Sequence, residues 1–112
     1  MRVGFIQFNP VFGDHAVNLE TMKRLVSSVE ADLIVLPELA TTGYAFTSKE
    51  ELSRIAEPFE SSPSLDVLQA VAQERDCALV TGFGEIDGDR LFNSSALQIG
   101  RASCRERVYH PV

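Results

Sequence analysis

The stretch D-L-I-V-L-P-E-L-A-T-T-G-Y, Asp32 to Tyr44, decides how the chain is read. Leu33 to Leu36 are apolar without alternation and are closed by Pro37. A short unbroken apolar run predicts a strand covered on both faces, as in a parallel sheet with helices packed on it. Proline ends such a strand and sets the backbone just beyond it. The next residue is a carboxylate, Glu38. Ligands of parallel sheets bind outside the carboxyl ends of the strands, so Glu38 is placed where chemistry is found. From position alone it reads two ways. It is a solvated loop acid, or it is a general base: a carboxylate that loses hydration binds its proton more tightly and can exchange it near neutral pH.

Working outward, Arg2 to Phe8 (RVGFIQF) predicts a first buried strand, and Asp14 a helix cap. Leu19, Met22, Leu25, Val26 and Val29 recur at helical spacing and give one apolar stripe. Strand, helix, strand in this order is a parallel crossover unit. Ser48 and Glu51 form an S-x-x-E box that starts a second helix, running to Ala56. Pro58 and Pro63 bracket a break, and Leu65, Leu68, Val71 and Ala72 face inward from a third helix, Ser64 to Asp76. CALVTGFGE is the third strand, D-G-D at Asp87 to Asp89 a hairpin turn, and LFNSSALQIG the fourth strand, antiparallel to the third.

The whole chain, 112 residues with 45% hydrophobic and 23% charged content, fits one soluble domain. Its net charge of −6 argues against nucleic acid and against a polybasic membrane anchor. No apolar run reaches the length of a membrane span, and no cleavage site follows the short apolar N-terminus. Two cysteines, Cys77 and Cys104, make no disulfide framework, and a reducing cytoplasm is the expected compartment. The last twelve residues differ in style. Three arginines against one glutamate give them +2, which leaves −8 on residues 1–100. Residues 101–112 are therefore expected to be poorly ordered or foreign to the domain.

Other signals are weaker. The N-S-S at Asn93 matches a glycosylation acceptor but sits in an apolar strand pattern, and is read as incidental. Gly82-Phe83-Gly84 lacks the third glycine of a dinucleotide loop, and its glycines are read as permitting close backbone approach. His15 and His110 have no metal-ligand spacing to another His or Cys, and no metal is expected. Glu50, Glu51, Glu57 and Glu60 read as a solvated acidic face.

The string P-E-L-A-T-T-G-Y-A-F resembles the glutamate motif of the nitrilase superfamily, the carbon–nitrogen hydrolases. VGFIQFNPVFGD followed by NLE, DLIVLPEL, SKEEL followed by AEP, ALVTGFGE and FNSSALQIG resemble successive family segments, in order, over about the first hundred residues. The resemblance implies an α/β fold. The expected form is a partial αββα sandwich, a mixed β-sheet with helices packed on it, with residues 1–100 as the N-terminal part of the domain. It implies hydrolysis of non-peptide carbon–nitrogen bonds in small amides, nitriles or N-carbamoyl compounds, with no metal or organic cofactor. It further implies a catalytic glutamate, lysine and cysteine, and a homo-oligomer when the protein is whole. Glu38 takes the position of the catalytic glutamate. Tyr44 takes that of an aromatic residue near the pocket, or is a packed ring with a wet hydroxyl. The departures are as definite. The family lysine follows the fourth strand in a Y-R-K-x-H-like string, but the two lysines here, Lys23 and Lys49, both come earlier. Cys104 is too early for the family cysteine, and Cys77 reads as a small buried hydrophobe. The chain as given is thus expected to be inactive. The alternative is a non-catalytic α/β module that binds a partner.

Overall fold

The computed structural model describes residues 1–102 and 104–112. Five strands form one mixed sheet in sequential order: β1 (Val3–Phe5), β2 (Leu33–Val35), β3 (Ala78–Asp87), β4 (Arg90–Ile99) and β5 (Cys104–Pro111). The first three are mutually parallel, and β4 and β5 are antiparallel to their neighbours. The helix α1 (His15–Ser27) joins β1 to β2, and α2 (Lys49–Ile55) and α3 (Pro63–Arg75) lie between β2 and β3.

Local chemistry explains these boundaries. Asp14 accepts from the Val17 amide at 3.1 Å and starts α1. Ser48 accepts from the Glu51 amide at 3.2 Å and starts α2. The expected capping box is only half made, because the Glu51 carboxylate takes the Thr47 hydroxyl instead. Ser62 caps α3, which has a proline at its start, and Asp76 closes it in the left-handed region at φ +50°. Gly88, at φ +63°, turns β3 into β4.

The pleat sends residues of each strand to alternate faces. On one face Ile34, Leu79 and Ala96 are buried. There Met22 and Val26 of α1 and Leu68, Val71 and Ala72 of α3 form one core with Ile34 and Leu79, and Leu65 packs with Phe83 and Ala96. The other face is covered only towards the hairpin end, where Leu52 of α2 lies beside Gly84. Val3, Phe5, Val35 and Leu97 stand on it exposed, Phe5 at 75%. The expectation that both faces of β2 are covered is therefore corrected: Ile34 is buried, but its neighbour Val35 is 38% exposed. An apolar run without alternation reports strands that avoid water on both sides, and within this chain only one of those sides has a layer on it.

The tail, expected to be poorly ordered or foreign to the domain, carries a strand. Cys104–Pro111 pairs as β5 along the edge of β4. Ser103 lies outside the described residues. Backbone pairing needs no particular side chains, and the two arginines that reach the helix-covered face find acids. Arg105 meets Asp66 of α3 at 2.8 Å, and Arg107 meets Glu85 at 2.9 and 3.0 Å. The charge that made the tail look unlike a strand is compensated by acids distant in sequence.

Candidate active site

The loop after β2 is seated on β3. Leu36 N still donates to Val80 O at 2.7 Å, so the ladder runs on past the end of β2. The chain then lies down on Gly82: Gly82 N donates to Pro37 O at 3.2 Å, and Ala40 N donates to Gly82 O at 2.9 Å. A Cβ at position 82 would stand 2.5 Å from Leu39 N, 2.6 Å from Pro37 O and 2.7 Å from the Glu38 Cα. Glycine is required here by close approach of one backbone to another. Leu39 takes a positive φ of 47°, which an L-residue adopts at a cost. That turn is closed by Gly43 N donating to Leu39 O at 2.8 Å.

A second clamp holds the loop from the side of α1. Asn18 is 1% exposed. Its Oδ1 accepts from Val11 N at 2.7 Å, and its Nδ2 donates to Val11 O at 2.8 Å and to Thr41 O at 3.1 Å. Gly13 N adds a bond to Thr42 O at 2.8 Å. The two loops at the carboxyl ends of β1 and β2 are thereby fastened to each other.

Glu38 projects from this seat over the partly open face of the sheet. Its Oε1 accepts from Asn93 Nδ2 of β4 at 2.5 Å. It lines a groove of about 470 Å³ with Val80, Gly82, Asn93, Ser95 and His110. The carboxylate is exposed, so the expected dehydration is not met within this chain. The cause is the one that leaves Val35 wet: no layer covers this part of the sheet. The side chain nevertheless points across the strands and not away from them.

The other residues singled out in the sequence fall elsewhere. Tyr44 is 57% exposed and does not line the groove. Cys77 is buried immediately before β3, and burial pushes its thiol above the ordinary value, opposed by the nearby Arg75. Cys104 is exposed and pairs, through Ile99, at the level of Ala78. That is four residues back along β3 from Gly82, or ~13 Å at the rise of a strand. Both thiols thus sit at the opposite end of the sheet from Glu38. Lys23 lies on the outer side of α1, 3.9 Å from Glu20, and Lys49 is exposed at the start of α2. No group of three or more possible metal-ligating side chains is found among the described residues.

Two polar clusters were missed by the sequence reading. Glu85 is 2% exposed and is held by Arg107 and by Ser94 Oγ at 2.7 Å. Glu57, read as part of a solvated acidic face, instead accepts from Ser64 N at 3.0 Å and from Ser64 Oγ at 2.8 Å, with His15 Nδ1 3.6 Å away. The signal for Glu85 was available: an acid within a run of strand residues needs a partner if it is buried.

The family model for carbon–nitrogen hydrolases matches residues 2–108. The chain belongs to the carbon–nitrogen hydrolase family. It is 33% identical over 100 residues to a protein named nitrilase from Pyrococcus abyssi, covering 87% of this chain and 38% of that protein. It is 35% identical over 99 residues to an (R)-stereoselective amidase from a Pseudomonas species, covering 87% of this chain and 35% of the relative. The chain thus spans little more than a third of the length of these relatives. Among solved structures, a crystal structure of an N-terminal amidase superimposes with a TM-score of 0.86 at 21% identity, covering 97% of this chain and 27% of that one. The α/β fold expected from the sequence is that of a carbon–nitrogen hydrolase. No helix among the described residues is long and apolar enough to cross a membrane.

Proposed function

We propose that Glu38 is the general acid/base of a hydrolase acting on non-peptide carbon–nitrogen bonds, and that residues 1–100 are the N-terminal part of its domain. The observation that carries the reading is the seat of Glu38: a backbone loop pressed onto Gly82, at the carboxyl ends of parallel strands, presenting a carboxylate to a groove. In the proposed reaction a thiolate attacks the carbon of an amide, nitrile or N-carbamoyl compound, and a covalent intermediate forms. Glu38 takes the thiol proton and passes it to the departing nitrogen. It then takes a proton from the water that releases the acid and returns it to the departing thiolate. A lysine stabilises the negative charge that builds up on the substrate.

Neither Cys77 nor Cys104 is positioned to supply that thiol, and neither lysine to supply that charge. We therefore assign both roles to residues outside this chain, and residues 101–112 to sequence not native to the domain. Six of the eight side chains of β5 are exposed, as backbone-driven pairing of an unrelated segment would leave them. The partner is a small-molecule amide, nitrile or carbamoyl compound, the compartment the cytoplasm, and the whole enzyme a homo-oligomer. The distance of both thiols from Glu38 favours one alternative for the chain by itself, a catalytically inactive module.

Two measurements test this. The 112-residue chain should show no turnover of simple amides, nitriles or N-carbamoyl compounds; turnover abolished by Glu38→Gln would overturn its inactivity. Reading the gene past residue 100 should reveal a Y-R-K-x-H-like string and a later cysteine. In that longer protein Glu38→Gln should lower turnover by about 10²- to 10⁴-fold, the usual worth of a positioned acid/base. Full activity after that change would remove Glu38 from the mechanism.

A further inference from the structure

We propose that Asn93 is the positioning residue for Glu38: its amide holds Oε1, leaving Oε2 as the oxygen that exchanges protons. This rests on the reading of Glu38 as the acid/base.

The geometry is specific. Asn93 pairs with Gly84 of β3 and with His110 of β5, so its side chain stands on the face that carries Gly82 and Glu38. Its neighbour Ser94 points the other way, to the buried Glu85. Gly82 has no side chain, which allows Glu38 to lie over β3 and reach β4 directly. The bond between Asn93 and Glu38 links residues 55 apart in sequence across the middle strand of the sheet.

The chemistry of the pair follows from its types. An ionised carboxylate only accepts hydrogen bonds, so Nδ2 and not Oδ1 of Asn93 must face it. A carboxamide donates without carrying charge and has no proton to lose near neutral pH. It can therefore fix one oxygen without competing for the proton that the other handles. Oε2 has no hydrogen-bond partner among the described residues. An exposed glutamate with three free torsions would otherwise sample many rotamers, and a general base a fraction of an ångström out of place loses rate. The N-S-S string, incidental as a glycosylation acceptor, thus has a use for its asparagine.

The test uses the full chain, labelled with ¹⁵N and ¹³C. The Asn93 side-chain NH₂ proton that faces Glu38 should resonate downfield of the free asparagine amides. Glu38→Ala should return it to their range, and Glu38→Gln should leave it between. Because Glu38 is exposed, neither change threatens the fold. In Asn93→Ala the couplings of the Glu38 side chain should collapse to averaged values, and Asn93→Ser, which keeps a donor, should restore part of the order. An Asn93 amide indifferent to Glu38→Ala, or Glu38 couplings unchanged in Asn93→Ala, overturns the proposal. Neither signal depends on turnover. Failure of the hydrolase reading would leave both in place, and their absence would leave the hydrolase reading standing.

Discussion

Replacing Gly82 by alanine should do more damage than its single methyl group suggests. Position 82 has no unusual backbone angle to protect. The cost is steric: the new Cβ would stand 2.5 to 2.7 Å from three backbone atoms of the Glu38 loop, and backbone cannot rotate out of the way as a side chain does. Relief requires lifting residues 37–40 off β3, which breaks the bonds at 3.2 Å (Gly82 N to Pro37 O) and 2.9 Å (Ala40 N to Gly82 O). Two such bonds are worth about 1 kcal/mol each. Forcing a methyl into packed structure adds roughly 1–3 kcal/mol. The sum, about 3–5 kcal/mol, is a large part of the roughly 5–15 kcal/mol that holds a domain together. At about 4 °C per kcal/mol for a chain of this size, Gly82→Ala should melt ~12–20 °C below the wild type. Gly88→Ala is the control. A Cβ there meets nothing, and the cost is only that of φ +63°, about 1–2 kcal/mol for an L-residue. Thermal unfolding followed by circular dichroism compares the two. A Gly82→Ala protein melting at or above Gly88→Ala would refute the close-approach argument and, with it, the account of how Glu38 is placed.

Four further outcomes are expected. Asn18→Leu keeps the volume but strands the Val11 amide and the carbonyls of Val11 and Thr41; it should cost about 3 kcal/mol in urea unfolding, and a loss below about 1 kcal/mol would mean that water replaces the clamp. Burial raises the Cys77 thiol above its ordinary 9.0 in the folded state, so folding favours the protonated form; that stability is complete below the unfolded value and drains away as pH climbs past it towards the folded one, and Cys77→Val should flatten the urea-midpoint difference between about pH 8 and pH 10. At neutral pH only Cys104 should react quickly with a thiol reagent, and two fast thiols would place Cys77 at the surface. The uncovered face with Val3, Phe5, Val35 and Leu97 should make the chain self-associate, and Phe5→Glu should shift sedimentation towards monomer; a wild-type chain that sediments as a monomer at high concentration contradicts this.

The elements that could be read in advance are those whose cause is local. Asp14, Ser48 and the D-G-D turn act within three or four residues of themselves, and each stands where its chemistry placed it. The stripe from Met22 to Val26 and the inward face of α3 follow from helical spacing, and they form the core. The errors have a different origin. β5 was missed because its arginines are neutralised by Asp66 and Glu85, 39 and 22 residues away. Glu57 was misread as solvated because its partners, Ser64 and His15, are brought to it by the packing of α3 and α1.

The same division runs through the site. The sequence by itself determined that a strand ends at Pro37 and that a carboxylate follows, because chain direction, apolar run length and proline geometry are properties of neighbouring residues. It also carried the family motif. Only the tertiary structure decided that the Glu38 loop rests on Gly82, that Asn18 ties it to the loop after β1, that Asn93 reaches Glu38 across β3, and that the carboxylate is left wet. Those facts depend on which backbones pass within 3 Å of each other and on whether a second layer lies over the sheet. Contact between residues tens of positions apart is set by how whole elements pack, and no local pattern encodes it.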